Sequence, residues 1–65
     1  MHITLNGEEK ITSSKNIEEL LDEYNQKKAA IVVEVNLDII AKNNYQSTPI
    51  KNGDKIEFIR FMGGG

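Results

Sequence analysis

Residues 1–12 read Met1-His2-Ile3-Thr4-Leu5-Asn6-Gly7-Glu8-Glu9-Lys10-Ile11-Thr12. Met1, Ile3 and Leu5 alternate with His2, Thr4 and Asn6, which gives a strand one apolar face at period two. Asn6-Gly7 then suits a two-residue hairpin turn, because both central residues of such a turn need positive φ. Glu8 to Thr12 is predicted to return as an edge strand with Ile11 as its single apolar contact. An opening hairpin of this kind needs a partner layer to cover its apolar face.

The next segment supplies that layer. Ser13 to Asn16 is a polar break, Asn16 is a good N-cap, and Glu19 follows at the spacing of a capping box. Ile17, Leu20, Leu21 and Tyr24 stand at i, i+3, i+4 and i+7, one face of a helix. Glu18, Glu19 and Asp22 near its start, with Lys27 and Lys28 at its end, suit the helix dipole. The spacing predicts a helix over about Ile17 to Gln26.

Beyond it, Ile31 to Val35 is a β-branched run with Ile31, Val33 and Val35 inward and Val32 outward beside Glu34. Asn36 to Asp38 turns the chain, and Ile39-Ile40 forms a short strand. Ala41 to Ser47 is an irregular connection around Tyr45. Lys51-Asn52-Gly53-Asp54 is a turn cluster, and Lys55 to Phe61 is the last strand. These elements predict an α+β domain: a mixed sheet with one main helix on one face, the other face wet. Its expected core is Ile3, Leu5, Ile17, Leu20, Leu21, Ile31, Val33, Val35, Ile50, Ile56 and Phe58. Residues 1–62 are read as the domain and residues 63–65 as a flexible glycine tail.

Composition narrows the function. The 65 residues contain no cysteine, so disulfides, a thiolate zinc site and a persulfide on this chain are excluded. A core of this size rarely supplies more than about 3–5 kcal/mol of net stability and leaves no room for a deep pocket. Eight basic residues scattered among ten acidic ones, for a net charge of −2, argue against a nucleic-acid partner. No apolar run reaches the length of a membrane span and the N-terminus does not read as a signal peptide, so the expected location is cytoplasmic. The single histidine, His2, is read as an outward surface residue. One histidine and no cysteine leave neither a nucleophile–base pair nor a transition-metal set.

The chain end carries the chemistry. Gly63-Gly64-Gly65 follows a strand and has no Cβ atoms. Four residues beyond Phe61 reach roughly 13–14 Å when extended, enough to thread a slot too narrow for side chains. The tip is a carboxylate, ionised above pH ~3.5 and a poor electrophile. Adenylation by ATP would make it an acyl phosphate anhydride open to a sulfur nucleophile. The other reading of three terminal glycines is a frayed end.

The segment Ser47 to Gly65, STPIKNGDKIEFIRFMGGG, resembles the end of the ThiS family of thiamine-pathway sulfur carriers. So do Ile3-Thr4-Leu5-Asn6-Gly7-Glu8 and Val33-Glu34-Val35-Asn36, and the likeness covers the whole chain. It departs where the family usually has glycine after the asparagine matched by Asn36, here Leu37, and where Ala41 to Tyr45 lacks the family's proline and tryptophan.

The resemblance implies a ubiquitin-like β-grasp fold. It also implies that a ThiF-like activating enzyme adenylates and thiocarboxylates Gly65, and that a ThiG-like thiazole synthase receives the sulfur. Gly63 and Gly64 would form the tail. The carrier would be a co-substrate rather than an enzyme, with no permanent cofactor, ATP being used by the activating enzyme. A cysteine desulfurase system would feed sulfur in. Val32, Ile59 and Phe61 are expected to form the surface that docks on these partners. Two alternatives stand beside this reading: a carrier like the molybdopterin-synthase small subunit, MoaD, and a ubiquitin-like binding module with an inert tail.

Overall fold

The computed structural model describes residues 1–60. The strands are β1 (His2–Leu5), β2 (Glu8–Ile11), β3 (Ile31–Val35), β4 (Asp38–Ile40) and β5 (Lys55–Arg60), and the helix is α1 (Ile17–Glu23). They form one mixed sheet in the order β2-β1-β5-β3-β4. Only β1 and β5 run parallel, with Thr4 opposite Lys55 and Leu5 opposite Ile56. Parallel neighbours need a long crossover, and here the whole middle of the chain, α1 included, provides it. The sheet with one helix across it is the β-grasp arrangement.

Local chemistry sets the turns. Asn6 and Gly7 both take positive φ, 49° and 81°, between the closing pair Leu5 and Glu8. Asn36 and Leu37 do the same, at 52° and 75°, between Val35 and Asp38. Asn16 caps α1 by accepting from the Glu19 N–H at 2.8 Å. The Glu19 carboxylate reaches the N–H of Lys15 at 2.8 Å, one residue before the capping-box position. The helix stops three residues short of the expected Gln26. Asn25 turns left-handed at φ 55°, and the N–H groups of Asn25 and Gln26 bond back to the carbonyls of Asp22 and Leu21. That paired closure is a Schellman motif.

The core lies between α1 and the sheet. Ile3, Leu5, Ile17, Leu20, Leu21, Ile31, Val33, Ile50 and Ile56 are buried as expected, and Tyr45 joins them at 1% exposure. Val35 and Phe58 are half-buried at its margin rather than inside it. Tyr45 is buried because its hydroxyl donates to the Ile31 carbonyl at 3.1 Å, so the one polar atom of the ring is satisfied. Ile11 departs from expectation and is 72% exposed. It stands opposite His2, so the register puts it on the face away from the helix.

Two polar latches tie the ends of the sheet. Asp54 is buried, and its carboxylate accepts from Asn36 Nδ2 at 3.0 Å and from the Lys51 N–H at 2.8 Å. The Thr12 and Ser14 hydroxyls both donate to Glu23 Oε1, at 2.5 and 2.8 Å, fastening the β2–α1 connection to the helix. Among the described residues no buried side-chain polar atom lacks a partner. No helix of the described residues is long and apolar enough to cross a membrane.

Candidate functional site

The last strand is central, not peripheral. β5 lies between β1 and β3, so the chain approaches its C-terminal segment from the middle of the sheet. Three contacts hold the end of β5. The side-chain amide of Asn6 acts as a substitute peptide: its Oδ1 accepts from the Phe58 N–H at 2.7 Å and its Nδ2 donates to the Phe58 carbonyl at 3.4 Å. This prolongs the β1–β5 ladder after the β1 backbone has turned away into the hairpin. The Phe58 ring meets Tyr24 edge-on with centroids 6.4 Å apart. Arg60 Nη2 donates to Gln26 Oε1 at 2.8 Å.

Ile56 and Phe58 face the helix. Lys55, Glu57 and Ile59 alternate to the open face. Register places Val32 opposite Ile59, and Glu34 opposite both Glu57 and Ile39. Ile59 is 41% exposed, Ile39 is 69% exposed and Val32 is half-buried. The structure therefore brings Val32 and Ile59 side by side. Phe61, Gly63, Gly64 and Gly65 lie outside the described residues. The Ala41–Tyr45 connection does not cover the open face. It packs on the helix side, where the Glu18 N–H bonds the Tyr45 carbonyl and Lys42 Nζ bonds the carbonyls of Lys28 and Ile31.

Sequence reasoning did not single out Glu34, Glu57, Ile39 or Asn6 for this site. Alternation puts Glu34 and Glu57 on the wet face, but only the pairing register sets them opposite each other. Nothing local reveals that the Asn6 amide reaches across to β5. His2 is exposed, as expected, and its backbone N–H donates to Asn52 Oδ1 at 2.7 Å. Among the described residues no group of His, Cys, Asp or Glu side chains is arranged to hold a metal ion. Two grooves among the described residues are open to solvent: one is lined by Thr4, Gly7, Lys55, Ile56 and Glu57, the other by Leu5, Asn6, Glu8, Lys10, Tyr24, Gln26 and Phe58. The described domain thus offers a central strand paired on both sides and an open face with adjoining apolar and acidic parts.

Known proteins agree with this architecture. A thiazole synthase of Paramagnetospirillum magneticum is 38% identical over 66 aligned positions, which take in all of this chain but about a fifth of that protein (20%). The sulfur carrier protein ThiS of Bacillus subtilis is 37% identical over 49 residues, 75% of this chain and 74% of that one. The crystal structure of the thiamine biosynthesis protein ThiS from Geobacter metallireducens superposes with a TM-score of 0.86 at 32% identity, each chain covered in full (100%). The ThiS family model matches residues 3–65, the three terminal glycines included. The chain belongs to the ThiS family.

Proposed function

We propose that this chain is the sulfur carrier of a thiamine biosynthesis system. The observation that carries the reading is the family match, which runs through Gly65. The placement of β5 at the sheet centre supports it, because a partner can draw on the chain end without pulling on an edge strand.

Gly65 is the reacting residue. A ThiF-like enzyme binds the domain and ATP. The Gly65 carboxylate oxygen attacks the α-phosphorus, and pyrophosphate leaves. A sulfide-level nucleophile then attacks the acyl carbon; where a system such as a cysteine desulfurase supplies the sulfur as a persulfide, a thiol reductant first cleaves its S–S bond to release it at that level. The carbon–oxygen bond to AMP breaks, a carbon–sulfur bond forms, and a thiocarboxylate remains. A ThiG-like thiazole synthase takes the sulfur. The thiazole synthase relative, with a segment similar to this entire chain, supports the pairing of carrier and acceptor. Residues 1–62 serve as the recognised domain and residues 63–65 as the tail. Val32, Ile59 and Phe61 dock on the partners. The chain is consumed and regenerated as a co-substrate and needs no cofactor of its own.

Intact mass spectrometry after incubation with ATP, the activating enzyme and a sulfur source tests this. The expected product gains the mass of one oxygen replaced by sulfur, localised to the C-terminus by fragmentation. Deleting Gly65 should abolish that gain at an unchanged melting temperature. Sulfur found elsewhere, or carried by the deletion variant, would favour a ubiquitin-like binding module with an inert tail.

A further inference from the structure

Two asparagines directly precede a glycine, in Asn6-Gly7 and Asn52-Gly53. Such a pair has its own chemistry, because a glycine has no Cβ to keep its nitrogen from closing on the asparagine side-chain carbonyl. The two pairs are alike in most respects. Both asparagines are exposed, and both glycines have positive φ, 81° and 89°, with open space where a Cβ would stand. Each amide oxygen accepts one backbone N–H at 2.7 Å, Asn6 from Phe58 and Asn52 from His2. A donor there polarises the carbonyl and stabilises the oxyanion that forms when its carbon is attacked. The pairs differ at the nucleophile. The Gly53 N–H donates to the His2 carbonyl at 2.7 Å, whereas among the described residues the Gly7 N–H donates to none. Asn6 also holds φ at 49°, a region that an L-residue leaves more readily than the ordinary ones.

We propose that Asn6 is a site of spontaneous covalent modification, at which the Gly7 nitrogen closes on the Asn6 side chain and water reopens the ring to aspartate or isoaspartate. The Gly7 N–H gives its proton to solvent base, its nitrogen bonds to Asn6 Cγ, and the Cγ–Nδ2 bond breaks with release of ammonia. Water then adds to one carbonyl of the cyclic imide, and the bond from that carbonyl to nitrogen breaks. Opening at the side-chain carbonyl leaves aspartate; opening at the main-chain carbonyl leaves isoaspartate, with the backbone running through the former side chain. Nothing is oxidised or reduced, and water is the only co-reactant. The fold determines what is lost. Asn6 Nδ2 donates to the Phe58 carbonyl, and a carboxylate has no proton to offer there, so oxygen would face oxygen. The modification therefore loosens β5 at Phe58, on the strand that leads to the C-terminal segment. It goes beyond the carrier reading and does not depend on it.

Incubation of the full-length chain in mildly alkaline buffer tests this, read by peptide mapping with fragmentation that distinguishes isoaspartate from aspartate. Asn6 should convert about threefold to tenfold faster than Asn52, the factor by which one hydrogen bond of ordinary net strength withholds the Gly53 N–H. In strong urea, where neither glycine is held by the fold, the two rates should come together. Equal rates in the folded chain, or a faster rate at Asn52, would overturn the proposal. So would a preference for Asn6 that survives unchanged in urea, because local sequence would then explain it. Asn6→Asp reproduces the aspartate product. At neutral pH it should lower the melting temperature by about 4–8 °C. The deficit relative to the parent should shrink below about pH 4, where a protonated carboxyl can again donate to the Phe58 carbonyl. A melting temperature equal to the parent's at neutral pH would refute the loss claimed at Phe58.

Discussion

Leu37 occupies a position made for glycine, and replacing it should stabilise the protein. Its φ is 75° and it is 87% exposed, in a two-residue turn whose first residue, Asn36, also has positive φ. An L-residue in this region costs about 1–2 kcal/mol, because Cβ crowds the carbonyl oxygen. The leucine side chain recovers little of that by burial. Leu37→Gly removes the strain but adds unfolded-state entropy worth about 0.5–1 kcal/mol. The balance favours the variant by roughly 0.5–1 kcal/mol. For a domain this small, that corresponds to a rise in melting temperature of about 2–8 °C. Urea denaturation followed by circular dichroism should show a higher midpoint at an unchanged slope. Leu37→Ala is the control: it keeps the Cβ and the strain, so it should stay near the parent. Leu37→Asn should fall between, since asparagine tolerates the left-handed region. A glycine variant no more stable than the alanine variant would show that the turn is unstrained and that the reasoning from φ is wrong.

Three further outcomes are expected. Phe58→Ala should cost about 2–3 kcal/mol, below the roughly 3–5 for a fully buried ring, because Phe58 is only half-buried; a melt identical to the parent would remove it from the fold's support. Tyr45→Phe should cost about 0.5–1.5 kcal/mol by leaving the Ile31 carbonyl without this hydroxyl donor, read as a lower urea midpoint; an unchanged midpoint would show that this bond adds nothing. Ile59→Asp should weaken binding to both the activating enzyme and the thiazole synthase while the circular dichroism spectrum is preserved, and affinities for both partners unchanged from the parent would rule this surface out.

Short-range chemistry was readable in the chain itself. The Asn6-Gly7 turn, the Asn16 cap, the apolar stripe of α1 and the inward set on β3 depend on neighbours within a few residues, so their periods and turn residues declare them. The C-terminal glycines are likewise a local fact, and their proposed role comes from covalent chemistry and family likeness, not from packing. Tertiary structure decided what depends on residues far apart in sequence. Tyr45 enters the core from an aperiodic connection because an acceptor on β3 meets its hydroxyl. Ile11 is left on the wet face by the register of an edge strand, and the Asn6 amide finds the β5 backbone 52 residues away. The opposition of Glu34 and Glu57 exists only because β3 and β5 pair antiparallel in one register. A strand's period says which face a side chain takes. Which strand lies beside it, and which residue stands opposite, is set by the closing of the whole sheet around one core.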